Sequence, residues 1–152
     1  MGKPLRMQTQ RVGQLLAVAA QAAQTLATER LEPLGLSPRA WGVLSTLVES
    51  GPQTQIALAT ATATDRTAMV YLLDELEQRG LVERAANPDD RRSYLIHLKR
   101  QGIALQRKAA RELAGQTDAL LQPLTDAERR QLVTLLGKIA ENWEVFVQAR
   151  EP

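Results

Sequence analysis

The segment from 58 to 98 constrains the fold of this chain more than any other part of the sequence. A helical pattern of leucines stops at Gly80, and a helix end favours a residue that can adopt a positive φ. Two short apolar runs follow, at 81–85 and 94–98, and the turn-forming residues 87–90 lie between them. This pattern predicts a helix followed by a β-hairpin.

The residues ahead of that hairpin predict two helices joined by a tight turn. Residues 54–61 have the length of a short helix, 62–64 form a turn, and 65–79 form a longer helix. In a helix-turn-helix the second helix enters the major groove of DNA, and a hairpin tipped by arginines can reach the negative minor groove. The order of these elements predicts a winged helix-turn-helix lobe over 37–100.

Candidate DNA contacts are the side chains that this arrangement exposes on the second helix and the hairpin. The first turns of the helix would face base edges, with Thr64 or Asp65 as the N-cap. The acidic residues of the same helix lie in its far half, so we expect the arginines to share one face. The predicted contacts are Gln55, Thr64, Asp65, Arg66, Thr67, Val70, Tyr71, Arg84, Asp90, Arg91 and Arg92.

Charge alone does not identify a nucleic-acid binder here. The formal net charge is +2, and residues 31–100 carry eight Lys and Arg against nine Asp and Glu. So modest a basic patch predicts DNA binding that salt weakens readily. The alternative function is therefore a helical protein-interaction module that has kept the winged-helix shape without specific DNA binding.

Composition favours a single, mainly helical domain over 1–152 with a small β-hairpin wing. Hydrophobic residues make up 44% of the chain and aromatic residues only 3%, a balance that suits helices better than a sandwich. The helical segments 10–34 and 101–150 carry more apolar surface than packing on one side requires, which predicts a dimerisation domain. Its predicted contacts are Val12, Leu15, Leu132, Leu136 and Trp143.

The sequence offers little for catalysis or metal binding. It has no cysteine and no Gly-rich phosphate loop, and its one histidine, His97, lies in an apolar strand that favours a packing role. We therefore expect no enzymatic activity, no cofactor and no metal. No run approaches the roughly 18 apolar residues of a membrane span, so we expect a cytoplasmic protein with no membrane partner.

Several motifs, in this order, resemble those of the MarR family of bacterial transcription regulators over nearly the whole chain. They are Leu36-Ser37 with Trp41 and Leu44, Leu58-Ala59, Asp65 with Leu72, Asp74 and Leu76, Arg79-Gly80-Leu81-Val82, Asn87-Pro88 with Asp90-Arg91-Arg92, Gly102, and Leu124-Thr125 with Glu128 and Leu132. The resemblance implies a homodimer that binds a pseudo-palindromic operator in double-stranded DNA and represses until a small ligand releases it. It also implies that Arg92 enters the minor groove while Asp90 holds it by a salt bridge.

Three positions depart from the family pattern. The family often has an apolar residue at the position of Thr62, a threonine at that of Lys99 and a basic residue at that of Tyr71. The first departure predicts a less apolar turn and the second the loss of a helix cap. The third, Tyr71, implies a preference for an operator sequence that cannot be inferred from other family members.

The resemblance further implies a ligand cleft between the dimerisation helices and the DNA-binding lobe. Leu16, Trp41 and Tyr94 are candidates to line it, and a small aromatic or otherwise apolar effector is the candidate ligand. Packing in the core explains these side chains equally well. A ligand would act by favouring a conformation whose recognition helices no longer match major grooves about 34 Å apart.

Overall fold

The computed structural model describes residues 3–148, with side chains described over 11–142. The chain forms six α-helices, one 3₁₀ turn at Glu32–Leu34 and a small sheet within this described range. The elements are α1 (Lys3–Leu31), α2 (Pro38–Ser50), β1 (Gln53–Thr54), α3 (Gln55–Ala61), α4 (Arg66–Gln78), β2 (Val82–Ala86), β3 (Tyr94–Leu98), α5 (Arg100–Leu120) and α6 (Asp126–Gln148). The predicted fold class, mainly helical with a hairpin wing, is confirmed.

Local sequence signals account for the start of each helix in the DNA-binding lobe. Ser37 accepts a hydrogen bond from the Ala40 N–H ahead of α2, and Thr54 accepts one from the Ala57 N–H ahead of α3. At the end of α4, Gly80 adopts a φ of +69°, as the predicted helix stop requires.

The sheet has three antiparallel strands in the order β1-β3-β2. Strands β2 and β3 form the predicted hairpin, and the pairs Val82–Leu98 and Ala86–Tyr94 mark its two ends. Strand β1, which pairs only two residues with β3, was not predicted.

The hydrophobic core lies between α2, α3, α4 and the sheet, and it extends to the ends of α1 and α5. Its largest fully buried side chains are Leu31, Val43, Leu44, Leu58, Met69, Leu73, Leu76, Val82 and Ile96. Two large apolar side chains of the lobe remain outside this core: Val48 and Ile56 are 47% and 56% exposed. Each lies on the outer side of a helix whose core face Leu44 or Leu58 already supplies.

The two terminal helices expose apolar side chains that the rest of the chain does not cover. Helix α1 packs mainly on α5, while α6 makes few contacts, chiefly with α3. The exposed apolar side chains on these helices are Val12, Leu15, Leu16, Val18, Val133, Leu135, Leu136 and Ile139. Leu132 is half-buried, and Trp143 lies outside the residues whose side chains are described.

Within residues 3–148, no helix is both long and apolar enough to cross a membrane.

Candidate nucleic-acid interface

The first turns of α4 form a solvent-facing surface backed by the core. Asp65 precedes the helix, and its Oδ1 accepts a hydrogen bond from the Ala68 N–H at 2.8 Å. The side chains predicted to face DNA on this helix are all exposed: Arg66, Thr67, Val70 and Tyr71. Met69 and Leu73, on the opposite face, are fully buried. Helix α4 therefore presents a fixed polar face with Tyr71, 72% exposed, near its centre.

The turn between α3 and α4 closes on itself through two threonines. The Thr62 hydroxyl donates to the Leu58 carbonyl at 2.8 Å and lies 3.0 Å from the Thr64 hydroxyl. Ala63 between them adopts a φ of +47°, in the left-handed region. Thr64 is only 8% exposed, so its side chain belongs to the turn and is not presented to a ligand. We therefore remove Thr64 from the candidate DNA contacts.

Hydrogen bonds organise the wing loop from within. Asn87, largely buried, donates from Nδ2 to the Ser93 hydroxyl at 2.9 Å and accepts the Asp89 N–H at 3.0 Å. These contacts close the loop at its base. Arg91 and Arg92 are exposed at its tip.

The contact that Asp90 makes within the wing loop is not the salt bridge to Arg92 that the resemblance implied. Its Oδ1 accepts a hydrogen bond from the backbone N–H of Arg92 at 2.9 Å. Among the described residues, no ion pair joins Asp90 to the Arg92 guanidinium. The carboxylate therefore fixes the backbone at the tip and leaves the guanidinium extended into solvent.

Arg84 does not contribute a free positive charge to this surface. Its Nη2 lies 2.6 Å from Asp74 Oδ1, and its Nη1 pairs with Glu77 Oε2. Burial alone would lower the pKa of Arg84, but the hydrogen bonds that its guanidinium donates to the two carboxylates outweigh burial, and the pKa is raised. The expectation that acidic residues of α4 lie apart from the arginines was wrong for this side chain, because the β2 strand returns beside the second half of α4.

A groove of about 490 Å³ runs between the start of α3 and the wing. Gln55, Tyr94, Asp90 and Arg92 all line it. Gln55 thus shares this groove with the candidate contacts of the wing. Tyr94, predicted for a ligand cleft, lies on the wing side instead, and is 61% exposed.

A separate cavity of about 220 Å³ lies between α1, α2 and α5. Its walls are almost entirely apolar, and the lining residues are Ala23, Leu26, Ala27, Trp41, Leu113, Gln116, Thr117 and Leu120. Trp41 Nε1 is buried without a hydrogen-bond partner among the described residues. Of the three residues predicted to line a ligand cleft, only Trp41 lines this cavity. Helical stripes in α1 and α5 carry the other lining residues, but nothing in the sequence distinguishes them from ordinary core.

No group of three or more His, Cys, Asp or Glu side chains within the described part of the chain could hold a metal ion.

Comparison with known proteins relates this arrangement to one family. The family model described as the MarR family matches residues 34–93, which cover α2 through the wing loop. A protein of Thauera aromatica, assigned as the transcriptional regulatory protein for the hcr operon, is 32% identical over 129 residues, covering 85% of this chain and 75% of the relative.

Two solved structures share the fold. A mutant MarR from E. coli, complexed with operator DNA, is 28% identical and has a TM-score of 0.74, covering 85% of this chain and 93% of that one. CouR from Rhodococcus jostii RHA1, bound to p-coumaroyl-CoA, is 30% identical and has a TM-score of 0.77, covering 85% and 91%.

Proposed function

Because this chain belongs to the MarR family of transcription regulators, we propose that it binds a pseudo-palindromic operator as a homodimer and represses transcription in the cytoplasm. The observation that carries this proposal is the exposed face of α4 beside a wing that presents two arginines. Helix α4 would enter the major groove, and the wing would reach the adjacent minor groove. The operator complex of the related E. coli protein supports this mode of binding.

We assign the base and backbone contacts to two groups of residues. On the lobe's helices these are Gln55, Asp65, Arg66, Thr67, Val70 and Tyr71, and on the wing Arg91 and Arg92. Asp90 supports the wing by fixing its backbone. Tyr71 can contact bases by apolar packing and one hydroxyl, which differs from the ionic contact of a basic residue.

The exposed apolar faces of α1 and α6 support the homodimer. Helices in folded proteins gain most of their stability by packing an apolar face on other elements. Helix α6 has little to pack on within its own chain. A second copy would cover these faces and set two copies of α4 about one helical turn of DNA apart, roughly 34 Å. Val12, Leu15, Leu132, Leu136 and Trp143 stay predicted contacts of this interface.

The test begins with selection of genomic fragments by the purified protein, followed by titration of the best fragment and a random duplex at two salt concentrations. Wild type should prefer a palindromic fragment by ~10³-fold. Replacing Arg91 and Arg92 with Ala should weaken specific binding and lower the salt slope by about 4, because the two wings of the homodimer together lose four phosphate-facing charges.

A matched control removes two exposed arginines elsewhere. Arg107→Ala with Arg111→Ala, on α5, changes the net charge equally and should leave operator affinity close to wild type. Unchanged operator affinity in the wing variant would contradict the proposed DNA contacts. Equal, weak binding of wild type to every fragment would instead favour the protein-interaction module.

We also propose that the cavity beside Trp41 receives a small aromatic or otherwise apolar effector. The cavity lies between α1, α5 and helix α2 of the DNA-binding lobe, so a bound molecule could alter the orientation of the lobe relative to α1 and α5. The related CouR, bound to p-coumaroyl-CoA, shows that this fold accommodates an aromatic acyl ligand. The test is quenching of Trp41 fluorescence by a panel of aromatic acids in a Trp143→Phe background. No response across the panel would contradict an aromatic effector.

A further inference from the structure

A cluster of three charged side chains joins α4 to strand β2 of the wing: Arg84, Asp74 and Glu77. We call this cluster the Arg84 clamp. The guanidinium bridges the two carboxylates, as described above. Glu77 additionally accepts a hydrogen bond from the backbone N–H of Arg84 at 3.0 Å. The Arg84 side chain is 23% exposed, so most of it is enclosed by the two elements it joins.

The position of the clamp makes it a link between two DNA-contacting elements. Asp74 and Glu77 are three residues apart and therefore lie on one face of α4, toward the wing. Arg84 is the middle residue of β2, where it pairs with Ile96 of β3. The backbone bond to Glu77 thus fixes the strand itself, and the strand carries the wing loop.

A second ionic contact on α4 points elsewhere. Arg79 pairs with Glu75 at 3.2 Å and donates to the Gly35 carbonyl at 2.7 Å, which ties the end of α4 to the segment before α2. Among the ion pairs within the described residues 11–142, the Arg84 clamp is the one that joins the wing to α4.

We infer that Arg84 is a positioning residue for operator recognition: with Asp74 and Glu77 it holds the wing at a fixed distance and angle from α4. This inference rests on the proposed function. One half-site presents a major groove and a minor groove at fixed positions, so both elements must be placed correctly at the same time. A wing that is ordered before binding avoids the entropy cost of ordering it on DNA.

The direction of the change in operator affinity distinguishes a positioning role of the clamp from a purely electrostatic one. Removing acidic charges near a DNA-binding surface should strengthen attraction to phosphates. Loss of the clamp should instead weaken specific binding, although the same negative charges disappear. Two carboxylates of α4 therefore favour operator binding through the arginine that they hold.

The experiment compares specific and random DNA for three variants. Asp74→Ala with Glu77→Ala removes the acceptors while keeping good helix formers, and Arg84→Lys keeps the charge but cannot bridge both carboxylates. We expect each to weaken binding to the selected operator by about tenfold, the scale of a charged hydrogen bond, with random-duplex affinity unchanged or higher for the double variant. The control Glu83→Gln, on the same strand beside Lys99 at 4.0 Å, should bind like wild type.

A readout without DNA keeps the inference testable if no operator is found. In the double variant, hydrogen exchange of the Arg84 amide should accelerate, because its acceptor on Glu77 is gone, and exchange across the wing loop should rise with it. Unchanged hydrogen exchange in the wing loop of the double variant would contradict the inference that the clamp positions the wing.

Three other outcomes would overturn the inference. Retained operator affinity in both clamp variants would do so directly. An equal fall in specific and random binding, with a smaller active fraction, would show a merely structural role. In a further variant, Arg84→Gln, a salt slope lowered by about 2 (one charge in each copy of the dimer), with stronger operator binding in the double Ala variant, would make Arg84 a phosphate contact. Absence of any preferred fragment for wild type would count against the proposed function instead.

Discussion

Gly102 illustrates how a single residue fixes the approach of two elements. A Cβ on this residue would lie 2.7 Å from Leu98 Cδ1 and closer still to the carbonyl oxygen of Leu81. The first turn of α5 therefore packs directly on the backbone that leads into β2. A side chain at this position would push α5 away from the wing lobe.

We expect Gly102→Ala to lower the free energy of unfolding by about 1–3 kcal/mol, the usual cost of overpacking. Gly115→Ala, on the same helix, is the matched control, since no described atom lies within 4 Å of its added Cβ. That change should stabilise by about 0.5–1 kcal/mol through helix propensity. Urea denaturation of both variants checks the difference. Equal effects would show that α5 can shift without cost.

Single-residue predictions from the sequence were accurate where a local rule decides exposure. Arg66 and Tyr71 were predicted to be exposed on α4, and they are, because Met69 and Leu73 occupy its buried face. The ion pairs of Arg84 were not predicted, because its partners lie seven and ten residues earlier and meet it only after the chain reverses. Thr64 was misread because the turn geometry, not its polarity, decides its burial.

At the scale of elements, α5 and α6 begin in contrasting ways. Lys99 precedes α5 and, among the described side chains, forms no capping hydrogen bond, in agreement with the predicted loss of a cap. Thr125 and Glu128 form a capping box at the start of α6: Glu128 Oε2 accepts hydrogen bonds from the N–H and hydroxyl of Thr125, each at 2.8 Å. The hydrogen bonds from the Thr125 backbone and side chain lower the pKa of Glu128 below its ordinary value of 4.5.

This lowered pKa makes the stability of α6 dependent on pH. A carboxyl group with a depressed folded-state pKa contributes stability above the unfolded-state value, and that stability is lost as the pH falls through the folded-state pKa. We therefore expect Glu128→Ala to destabilise the protein at pH 7, and the difference from wild type to shrink as the pH falls below 4.5. Thermal unfolding of both proteins from pH 7 to pH 3 checks this. A difference that is constant with pH would contradict the capping role of the carboxylate.

Elements with strong local signals were predictable, whereas the one that depends on distant pairing was not. Asp65 and Gly80 mark helix ends by their own chemistry, so α4 was predicted within a few residues. Strand β1 has only two residues, and it exists because Gln53 and Thr54 meet β3 about forty residues later in the chain. No periodicity can be read from so short a segment.

At the scale of the whole molecule, the described structure has a well-packed lobe and two terminal helices with uncovered apolar faces. Leu135 and Ile139 of α6 are 48% and 52% exposed, and Leu15 of α1 is 57% exposed. Apolar residues at helical spacing on a helix without an intrachain partner indicate an interface. Two lobes joined through these helices would bind both half-sites of an operator at once, and their combined affinity would exceed that of one copy on one half-site.

We expect Leu136→Glu to convert the proposed homodimer into monomers of 16.8 kDa and to abolish operator binding while the lobe stays folded. Leu136 is 41% exposed in a single chain, so a carboxylate there costs little until a second copy buries it, when an unpaired charge becomes expensive. Sedimentation equilibrium measures the mass, and circular dichroism reports the fold. The control Val48→Glu places the same charge on an exposed apolar site of α2, outside the terminal helices, and should leave the mass unchanged. A variant that remains dimeric would place the interface elsewhere, and a monomer that keeps full operator affinity would show that half-sites are bound independently.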